Sequence, residues 1–219
     1  DDMRRVRFLP DSRLSFAENA LAPREGAGDA AIVALTESGR RRVVTWPELR
    51  VEVAAMAAAF RAAGVERGDR VAAYMPHVAE TVVAFLAANA IGAIFTSTSS
   101  DFGTEGVVDR FGQTEPAVLV AADGYEYGGR TFDCRDRIAE ISRRLPSVRR
   151  VFVVGVLSER PDIEEIPKAI LWNEAVAAHR GSPLAYERNS GDHPLYILYS
   201  DRKSTRLNSI HANISYAVF

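Results

Sequence analysis

The chain has 219 residues, of which 47% are apolar, and a net charge of −2 at neutral pH. This apolar content is enough for a core and excludes general disorder, whereas the near-neutral charge argues against a nucleic-acid-binding protein. With a single cysteine, no signal-like apolar run at the start and no stretch long enough to span a bilayer, the sequence predicts a cytoplasmic protein without disulfides or membrane contacts.

Apolar runs and turn signals predict alternating strands and helices along the chain. Residues 1–29 are predicted to be an irregular lead-in. Apolar runs typical of strands occupy residues 31–35, 43–45, 70–76, 93–99, 117–122, 148–156 and 194–199. Helical spacing extends from the capping-box pair Thr45 and Glu48 to Gly64, and recurs in residues 78–90, 135–145 and 170–179. Residues 101–113 are predicted to be a loop and a short helix.

This alternation is typical of an α/β fold, in which helices cover both faces of a mostly parallel sheet. In this interpretation residues 1–44 form the lead-in and a short hairpin, and residues 45–200 form the α/β portion. Residues 201–219 differ in composition, since Asn and Ser replace the Ala and Arg that prevail before them. This last stretch is predicted to be a non-native tail.

Two polar segments follow predicted strands, where open α/β sheets bind their ligands. In residues 96–103, a run of hydroxyl side chains fits either ligand binding or capping of the next helix by Ser99, Ser100 or Asp101. In residues 123–130, the glycines and the arginine fit either a phosphate site or a hairpin-like turn with a solvated arginine. From the residues alone, capping and the hairpin-like turn are the favoured interpretations.

Side chains capable of catalysis are scattered in the sequence rather than clustered. The four histidines share no metal-ligand spacing with one another, with the cysteine or with acidic residues. Cys134 lacks a nucleophile signature and is predicted to be a small, half-buried residue beside a helix start. The residues by themselves therefore predict no catalytic group and no metal site.

Several segments resemble the acyl-adenylate-forming superfamily and, within it, the acetoacetyl-CoA synthetases. The resemblance covers nearly all of residues 6–200. Residues 101–130, DFGTEGVVDRFGQTEPAVLVAADGYEYGGR, are the part most similar to the acetoacetyl branch. The other similar segments are residues 8–21, 45–103, 166–172 and 192–200.

This resemblance implies an incomplete α/β fold, the N-terminal part of such a ligase, and a reaction in two halves. The carboxylate of the acid, acetoacetate in this branch, attacks the α-phosphate of ATP and gives acyl-AMP and pyrophosphate. The thiol of CoA then attacks the acyl carbon and expels AMP. The full-length family uses ATP, CoA and Mg²⁺, which offsets the charge of the phosphates. The implied partners are therefore small molecules: acetoacetate, ATP and CoA.

The resemblance also implies two groups of binding residues. Relatives hold the nucleotide end of CoA on a short basic loop, whose arginine contacts a CoA phosphate. That loop aligns with Tyr127, Gly128, Gly129 and Arg130. Ser200 aligns with the first serine of the family's phosphate loop, whose glycines let backbone N–H groups face the phosphates. After Ser200 the chain departs from the family, because residues 201–219 contain no glycine.

The loss of this loop predicts that the 219-residue chain alone is inactive and binds at most CoA. In the resemblance, the acyl pocket and the remaining catalytic groups lie beyond these residues. Three alternatives stay open at this point. The first is a ligase for another short acid, such as acetate or propionate. The others are a non-catalytic module that binds CoA or a nucleotide, and a structural fragment without a ligand.

Overall fold

The computed structural model describes residues 11–23, 26, 28–37, 39, 41–200 and 213–217, with backbone alone for Ser200 and residues 213–217. Residues 1–10 of the predicted lead-in and residues 201–212 and 218–219 of the predicted tail lie outside this part. The helices are α1 (Phe16–Leu21), α2 (Trp46–Ala62), α3 (Ala79–Ala90), α4 (Thr104–Thr114), α5 (Arg135–Arg144) and α6 (Trp172–Ala178). The strands are β1 (Arg13–Leu14), β2 (Ala30–Leu35), β3 (Arg41–Thr45), β4 (Arg70–Tyr74), β5 (Ile94–Thr98), β6 (Val118–Ala122), β7 (Gly124–Tyr127), β8 (Arg130–Asp133), β9 (Arg150–Val154), β10 (Ala169–Leu171), β11 (Asn189–Ser190), β12 (Tyr196–Ser200) and β13 (Asn213–Ala217).

A seven-stranded sheet forms the centre of the molecule, in the order β10-β9-β6-β4-β5-β12-β13. The first six strands are parallel, and β13 pairs antiparallel with β12. This arrangement confirms the predicted α/β class with a mostly parallel sheet. The strand β4 is flanked by β5 on one side and β6 on the other, so the chain reverses its direction across the sheet after β5.

Helices cover both faces of the sheet, as the sequence predicts. The helices α2, α3 and α6 pack on one face, in a core that contains Phe60, Phe95 and Phe152. The helices α4 and α5 pack on the other face, in a second core that contains Phe111 and Ile138. Because strand side chains alternate between faces, β4, β6 and β9 each contribute to both cores.

The helix signals of the sequence are confirmed at α2. The Thr45 hydroxyl accepts a hydrogen bond from the backbone N–H of Glu48, and the Glu48 carboxylate accepts one from the N–H of Thr45 at 2.8 Å. This reciprocal pair satisfies N–H groups that the first helical turn leaves without partners. Gly64, with a φ of +80°, follows the end of the helix.

Two expectations about helices are wrong. The lead-in, predicted to be irregular, contains α1, which Ser15 caps by accepting a hydrogen bond from the backbone N–H of Glu18. The helix predicted at residues 170–179 begins at Trp172, because Ala169–Leu171 pair with β9 as an edge strand. Short apolar runs of this length fit a strand and a buried helix equally well.

Three two-stranded ribbons, β1–β11, β2–β3 and β7–β8, lie outside the sheet. The β2–β3 ribbon is the hairpin that the sequence predicts. The β7–β8 ribbon occupies the segment that was predicted to be a hairpin-like turn, and extends it into two paired strands. Among the described helices, none is long and apolar enough to cross a membrane.

Candidate functional site

A cleft opens at the carboxyl edge of the sheet, beside β4 and β5. The chain leaves β4 toward α3 on one face, and leaves β5 toward α4 on the other. Loops that diverge in this way open a crevice, the usual ligand position in open α/β sheets. The cleft has a volume of about 480 Å³. Its walls are residues 35–37 after β2, 76–78 after β4, 99–101 after β5, 125–127 of β7, and Val156.

The loop after β5 is held by a buried tyrosine and an arginine. The hydroxyl of Tyr74 shares its proton between the carbonyl oxygens of Ser100, at 2.6 Å, and Phe102, at 2.8 Å. Arg137 Nη1 donates to the same Ser100 oxygen at 3.3 Å and to the Tyr74 hydroxyl at 3.2 Å. Burial raises the pKa of Tyr74, so its hydroxyl remains a donor at neutral pH. These hydrogen bonds therefore hold the loop after β5, which forms one wall of the cleft, in position.

Sequence reasoning missed both of these supporting residues. Tyr74 carried a usable signal, because it ends a strand of small apolar residues and a buried tyrosine hydroxyl needs a partner. Arg137 lies in a helix that was predicted correctly, but nothing in its local pattern indicates that it reaches β4. Its role depends on how α5 packs beside the loop after β5.

The favoured interpretation of the hydroxyl run as a helix cap is wrong. The residue that caps α4 is Gly103, and no side chain accepts a hydrogen bond there. Ser100 instead lines the cleft, and its buried Oγ has no hydrogen-bond partner among the described residues. A buried hydroxyl without a partner is uncommon, and binding sites are one place where it occurs. Ser99 and Ser100 thus line the cleft rather than cap the helix.

The residues predicted to bind CoA form the tip of the β7–β8 ribbon. Tyr127 and Arg130 are paired across the two strands, and both side chains are exposed. Gly128 and Gly129 connect them with φ values of +60° and +71°, as a two-residue type I′ turn requires. The segment is therefore a hairpin with an exposed arginine, a geometry that fits both interpretations of its role. The structure brings Tyr127 into the same cleft as Ser100, and places Arg130 outside the residues that line it.

A buried carboxylate anchors the base of this ribbon. Asp123 accepts backbone N–H bonds from Val156 at 2.7 Å, Leu157 at 3.0 Å and Ser158 at 3.0 Å. These bonds hold the loop after β9 against the start of β7. Gly124 fits tightly there, since an added Cβ would lie 2.3 Å from the carbonyl oxygen of Phe132. Contacts with backbone atoms therefore hold the β7–β8 ribbon, one wall of the cleft, in place.

Charged side chains anchor the β2–β3 ribbon, which supplies the cleft wall at residues 35–37. Arg42 lies opposite Ala34 on the ribbon and forms ion pairs with Glu80 in the first turn of α3 and with Glu52 of α2, the latter at 3.3 Å. The pKa of Glu52 is raised by burial, although Arg42 opposes that shift. One guanidinium therefore connects this ribbon to two helices.

Ser200 ends β12, the strand that the sequence assigns to a phosphate loop. Because β12 runs parallel to β5, its carboxyl end reaches the same edge of the sheet as the cleft. The residues of the expected loop, including Lys203, Ser204 and Thr205, lie outside the described part of the chain.

The single cysteine and the possible metal ligands also bear on catalysis. Cys134, expected to be half-buried, is fully buried at the start of α5, and burial raises the pKa of its thiol. A raised thiol pKa disfavours the thiolate that a nucleophile needs. Within the described residues, no group of three or more His, Cys, Asp or Glu side chains is placed to hold a metal ion.

Taken together, the reversal of strand order, the cleft at that point and its loops define an open α/β domain with a ligand-binding crevice at the carboxyl edge of its sheet. The family model described as AMP-binding enzyme matches residues 20–200. The chain therefore belongs to the AMP-binding enzyme family, which confirms the resemblance found in the sequence.

Several proteins similar to this chain are acyl-CoA synthetases. The acetoacetyl-coenzyme A synthetase of Rhizobium meliloti (strain 1021) is 39% identical over 202 residues, covering 91% of this chain and 30% of the relative. The malonamoyl-CoA synthetase vrtB of Penicillium aethiopicum is 36% identical over 206 residues, covering 90% of this chain and 28% of the relative. The solved structure of the acetoacetyl-CoA synthetase from Streptomyces lividans has a TM-score of 0.76 and 42% identity, over 86% of this chain and 28% of that one. The chain thus spans less than a third of the length of these relatives.

Proposed function

We propose that the chain is part of an AMP-forming acid–thiol ligase, which activates acetoacetate as acyl-AMP and transfers the acyl group to CoA. The observation that carries this proposal is the meeting of two distant segments at one cleft. Residues 99–101 of the hydroxyl loop line the same cavity as Tyr127 of the ribbon tip, and the ribbon tip lies within the stretch most similar to the acetoacetyl branch. Similarity to acetoacetyl-CoA synthetases over most of the chain supports the choice of acid.

Within this proposal, the ribbon tip binds the nucleotide end of CoA. Arg130 supplies an exposed guanidinium for a CoA phosphate, and a guanidinium can bind phosphate oxygens in two-point geometry. The turn of Gly128 and Gly129 leaves open space beside the backbone, so a ligand can approach it closely. The anchored loop after β5 forms a fixed opposite boundary for that ligand.

ATP and Mg²⁺ belong to the proposed full-length reaction. The described part of the chain contains no group of three or more His, Cys, Asp or Glu side chains placed to hold a metal ion. No step through the metal is therefore derived from this chain. Ser200 marks the start of the phosphate loop in this proposal, and the loop itself would have to come from residues beyond it.

Binding of CoA to the 219-residue chain is the direct test of the site. Titration calorimetry should detect CoA binding, and Arg130→Ala should weaken it by about tenfold, the loss expected for one charge-assisted contact. Arg61→Ala, which removes an exposed arginine at the far end of α2, is the matched control and should bind as the unaltered chain does. Equal affinity of the two variants would contradict the assigned role of Arg130.

The chain by itself is proposed to be inactive, because it lacks a glycine-rich segment after Ser200. Incubation with ATP, Mg²⁺, acetoacetate and CoA should give no AMP above background. The full-length Rhizobium relative serves as the positive control under the same conditions. AMP formation that depends on both acetoacetate and CoA would overturn the proposal.

A ligase for another short acid is the second candidate, and one observation favours it. The malonamoyl-CoA synthetase relative has nearly the same identity to this chain as the acetoacetyl-CoA synthetase relative has. Similarity in this region therefore does not by itself determine the acid. Activity of the full-length gene product with acetoacetate, acetate, propionate and malonamate distinguishes the candidates by the ratio of kcat/KM values.

Residues 201–219 are proposed to be a non-native continuation, and the protein is proposed to be cytoplasmic. The family match ends at residue 200, where the glycine-free sequence begins. The lone buried cysteine is consistent with a reducing compartment. Genomic DNA downstream of codon 200 tests the first proposal, since a Gly/Thr-rich continuation would support it and the present sequence would refute it.

A further inference from the structure

The β7–β8 ribbon presents one unusually aromatic face. Side chains alternate along a strand, so Tyr125 and Tyr127 lie on the same face of β7. The pairing register places Phe132 opposite Tyr125, and Arg130 opposite Tyr127. A single face of this short ribbon thus carries three aromatic rings and a guanidinium.

The inner and outer halves of this face differ in their surroundings. The rings of Tyr125 and Phe132 stack with centroids 4.9 Å apart and planes 12° apart, and Tyr125 also packs against the core under α4 and α5. Tyr127, at the tip, is 71% exposed. Neither Tyr127 nor Arg130 makes a hydrogen bond, ion pair or ring contact within the described part of the chain. The ring of Tyr127 and the guanidinium of Arg130 are therefore both available to a ligand at the tip. The stacked rings of Tyr125 and Phe132 hold the ribbon beneath them in place.

The charge of the cleft decides how a nucleotide would orient at this tip. The carboxylates of Glu37 and Asp101 line the cleft, whereas Arg130 lies outside it. A phosphate would be repelled by the carboxylates and attracted to the guanidinium. An uncharged purine can enter the cleft mouth, where carboxylates accept hydrogen bonds from its amino group. This orientation places the base, and not the phosphate, against Tyr127.

We propose that Tyr127 determines specificity for the nucleotide part of CoA by stacking on its adenine ring while Arg130 holds the neighbouring phosphate. The inference rests on the proposed function, since it assumes that CoA binds at this tip. Base–aromatic stacking accounts for about a tenfold gain in affinity. The same contact is absent for pantetheine, which has the thiol but no base, so Tyr127 would make the site discriminate between the two thiols.

Saturation-transfer NMR on the 219-residue chain tests this role with CoA and pantetheine as probes. With the unaltered chain, the adenine H2 and H8 protons should receive the strongest saturation. Tyr127→Ala should raise the Kd for CoA about tenfold and abolish saturation of the adenine protons, without changing the Kd for pantetheine. Tyr127→Phe keeps the ring and should retain both the affinity and the adenine signal. Val82→Ala, at an exposed residue of α3 outside the cleft, controls for general surface effects.

The outcomes separate this inference from the proposed function. If Tyr127→Ala keeps the Kd for CoA and the adenine saturation of the unaltered chain, the stacking role is overturned while CoA binding stands. If the unaltered chain transfers no saturation to CoA at all, the proposed binding site fails and the inference fails with it. Loss of affinity in Tyr127→Phe as well as in Tyr127→Ala would also contradict stacking, since the phenylalanine ring preserves it.

Discussion

Two antiparallel ribbons line the same cleft, and different forces hold them in place. The β2–β3 ribbon is joined to α2 and α3 through the half-exposed guanidinium of Arg42. The β7–β8 ribbon is joined to the loop after β9 through the buried carboxylate of Asp123, which accepts three backbone hydrogen bonds. The first attachment is a set of ion pairs around a half-exposed guanidinium, and the second is a set of partly buried hydrogen bonds to a buried carboxylate.

The two kinds of attachment indicate which wall of the cleft is adjustable. Ion pairs that solvent reaches are weakened by salt, whereas buried hydrogen bonds are screened little. The wall at residues 35–37 is therefore expected to loosen as ionic strength rises, while the ribbon that carries Tyr127 stays in position. In the proposed function, the residues that would contact CoA lie on the more rigid of the two ribbons.

Removing the anchor of the β7–β8 ribbon should have the largest effect. Asp123→Ala leaves three backbone N–H groups of a half-buried loop without their charged acceptor, so the free energy of unfolding should fall by about 4 kcal/mol. Urea unfolding followed by circular dichroism measures the loss. Asp109→Ala, an exposed acid of α4, is the control and should change stability by less than about 0.5 kcal/mol. A loss below about 1 kcal/mol in Asp123→Ala would show that the ribbon is held in some other way.

Removing the anchor of the β2–β3 ribbon should cost less and should depend on salt. Arg42→Ala leaves Glu52 and Glu80 facing each other without their shared cation, which should lower the free energy of unfolding by about 1.5 kcal/mol. In 1 M NaCl the difference from the unaltered chain should shrink, whereas the loss in Asp123→Ala should persist. Equal salt sensitivity of the two variants would remove the proposed distinction between the ribbons.

The turn of the β7–β8 ribbon offers a smaller and more local test. Gly129 has a φ of +71°, and a Cβ added there meets open space, so Gly129→Ala adds backbone strain alone. The expected loss in stability is about 1 kcal/mol. Gly128→Asn is the matched control, because asparagine tolerates the left-handed conformation and Asn-Gly is the preferred type I′ pair. If both variants lost the same stability, the turn would not have the inferred geometry.

Much of the fold could be predicted from the sequence because its signals are local. The buried strands are continuous apolar runs, and the Thr45–Glu48 capping box marks the start of α2 within the chain segment that forms it. The strand β10 could not be predicted in this way, since its three residues are a strand only because β9 lies beside them. The local sequence pattern alone does not decide between a strand and a helix at these three residues.

The candidate site was less predictable than the fold, because it is made of loops distant in sequence. The hydroxyl run and the ribbon tip were each assigned a local role, and each role was sufficient to explain its residues. Their meeting at one cleft depends on the strand order around β4, which reverses after β5. The orphaned hydroxyl of Ser100 and the support from Arg137 are likewise consequences of packing, which spacing along the chain does not encode.

The smallest predicted effects concern two carboxylates one turn apart on α2, whose environments shift their pKa values in opposite directions. Burial raises the pKa of Glu52, and hydrogen bonds from Thr45 lower the pKa of Glu48, both from an ordinary value of 4.5. A raised pKa means that folding disfavours the ionised form, so Glu52 lowers stability above its folded pKa. A lowered pKa means the reverse, so Glu48 contributes stability above pH 4.5 that is lost as pH falls through its folded pKa.

Neutral glutamine variants should therefore have opposite signs at pH 7. Glu52→Gln should raise the unfolding midpoint slightly, because it removes a poorly solvated charge, whereas Glu48→Gln should lower it by weakening the capping box. Both differences should diminish in acid: that of Glu52→Gln as pH falls to 4.5 and below, and that of Glu48→Gln at lower pH still, once its lowered pKa has been passed. Thermal unfolding midpoints between pH 3 and pH 7 provide the measurement. Should Glu52→Gln instead destabilise the chain at pH 7, the ion pair with Arg42 would outweigh burial, and the charged attachment of the β2–β3 ribbon would be stronger than inferred.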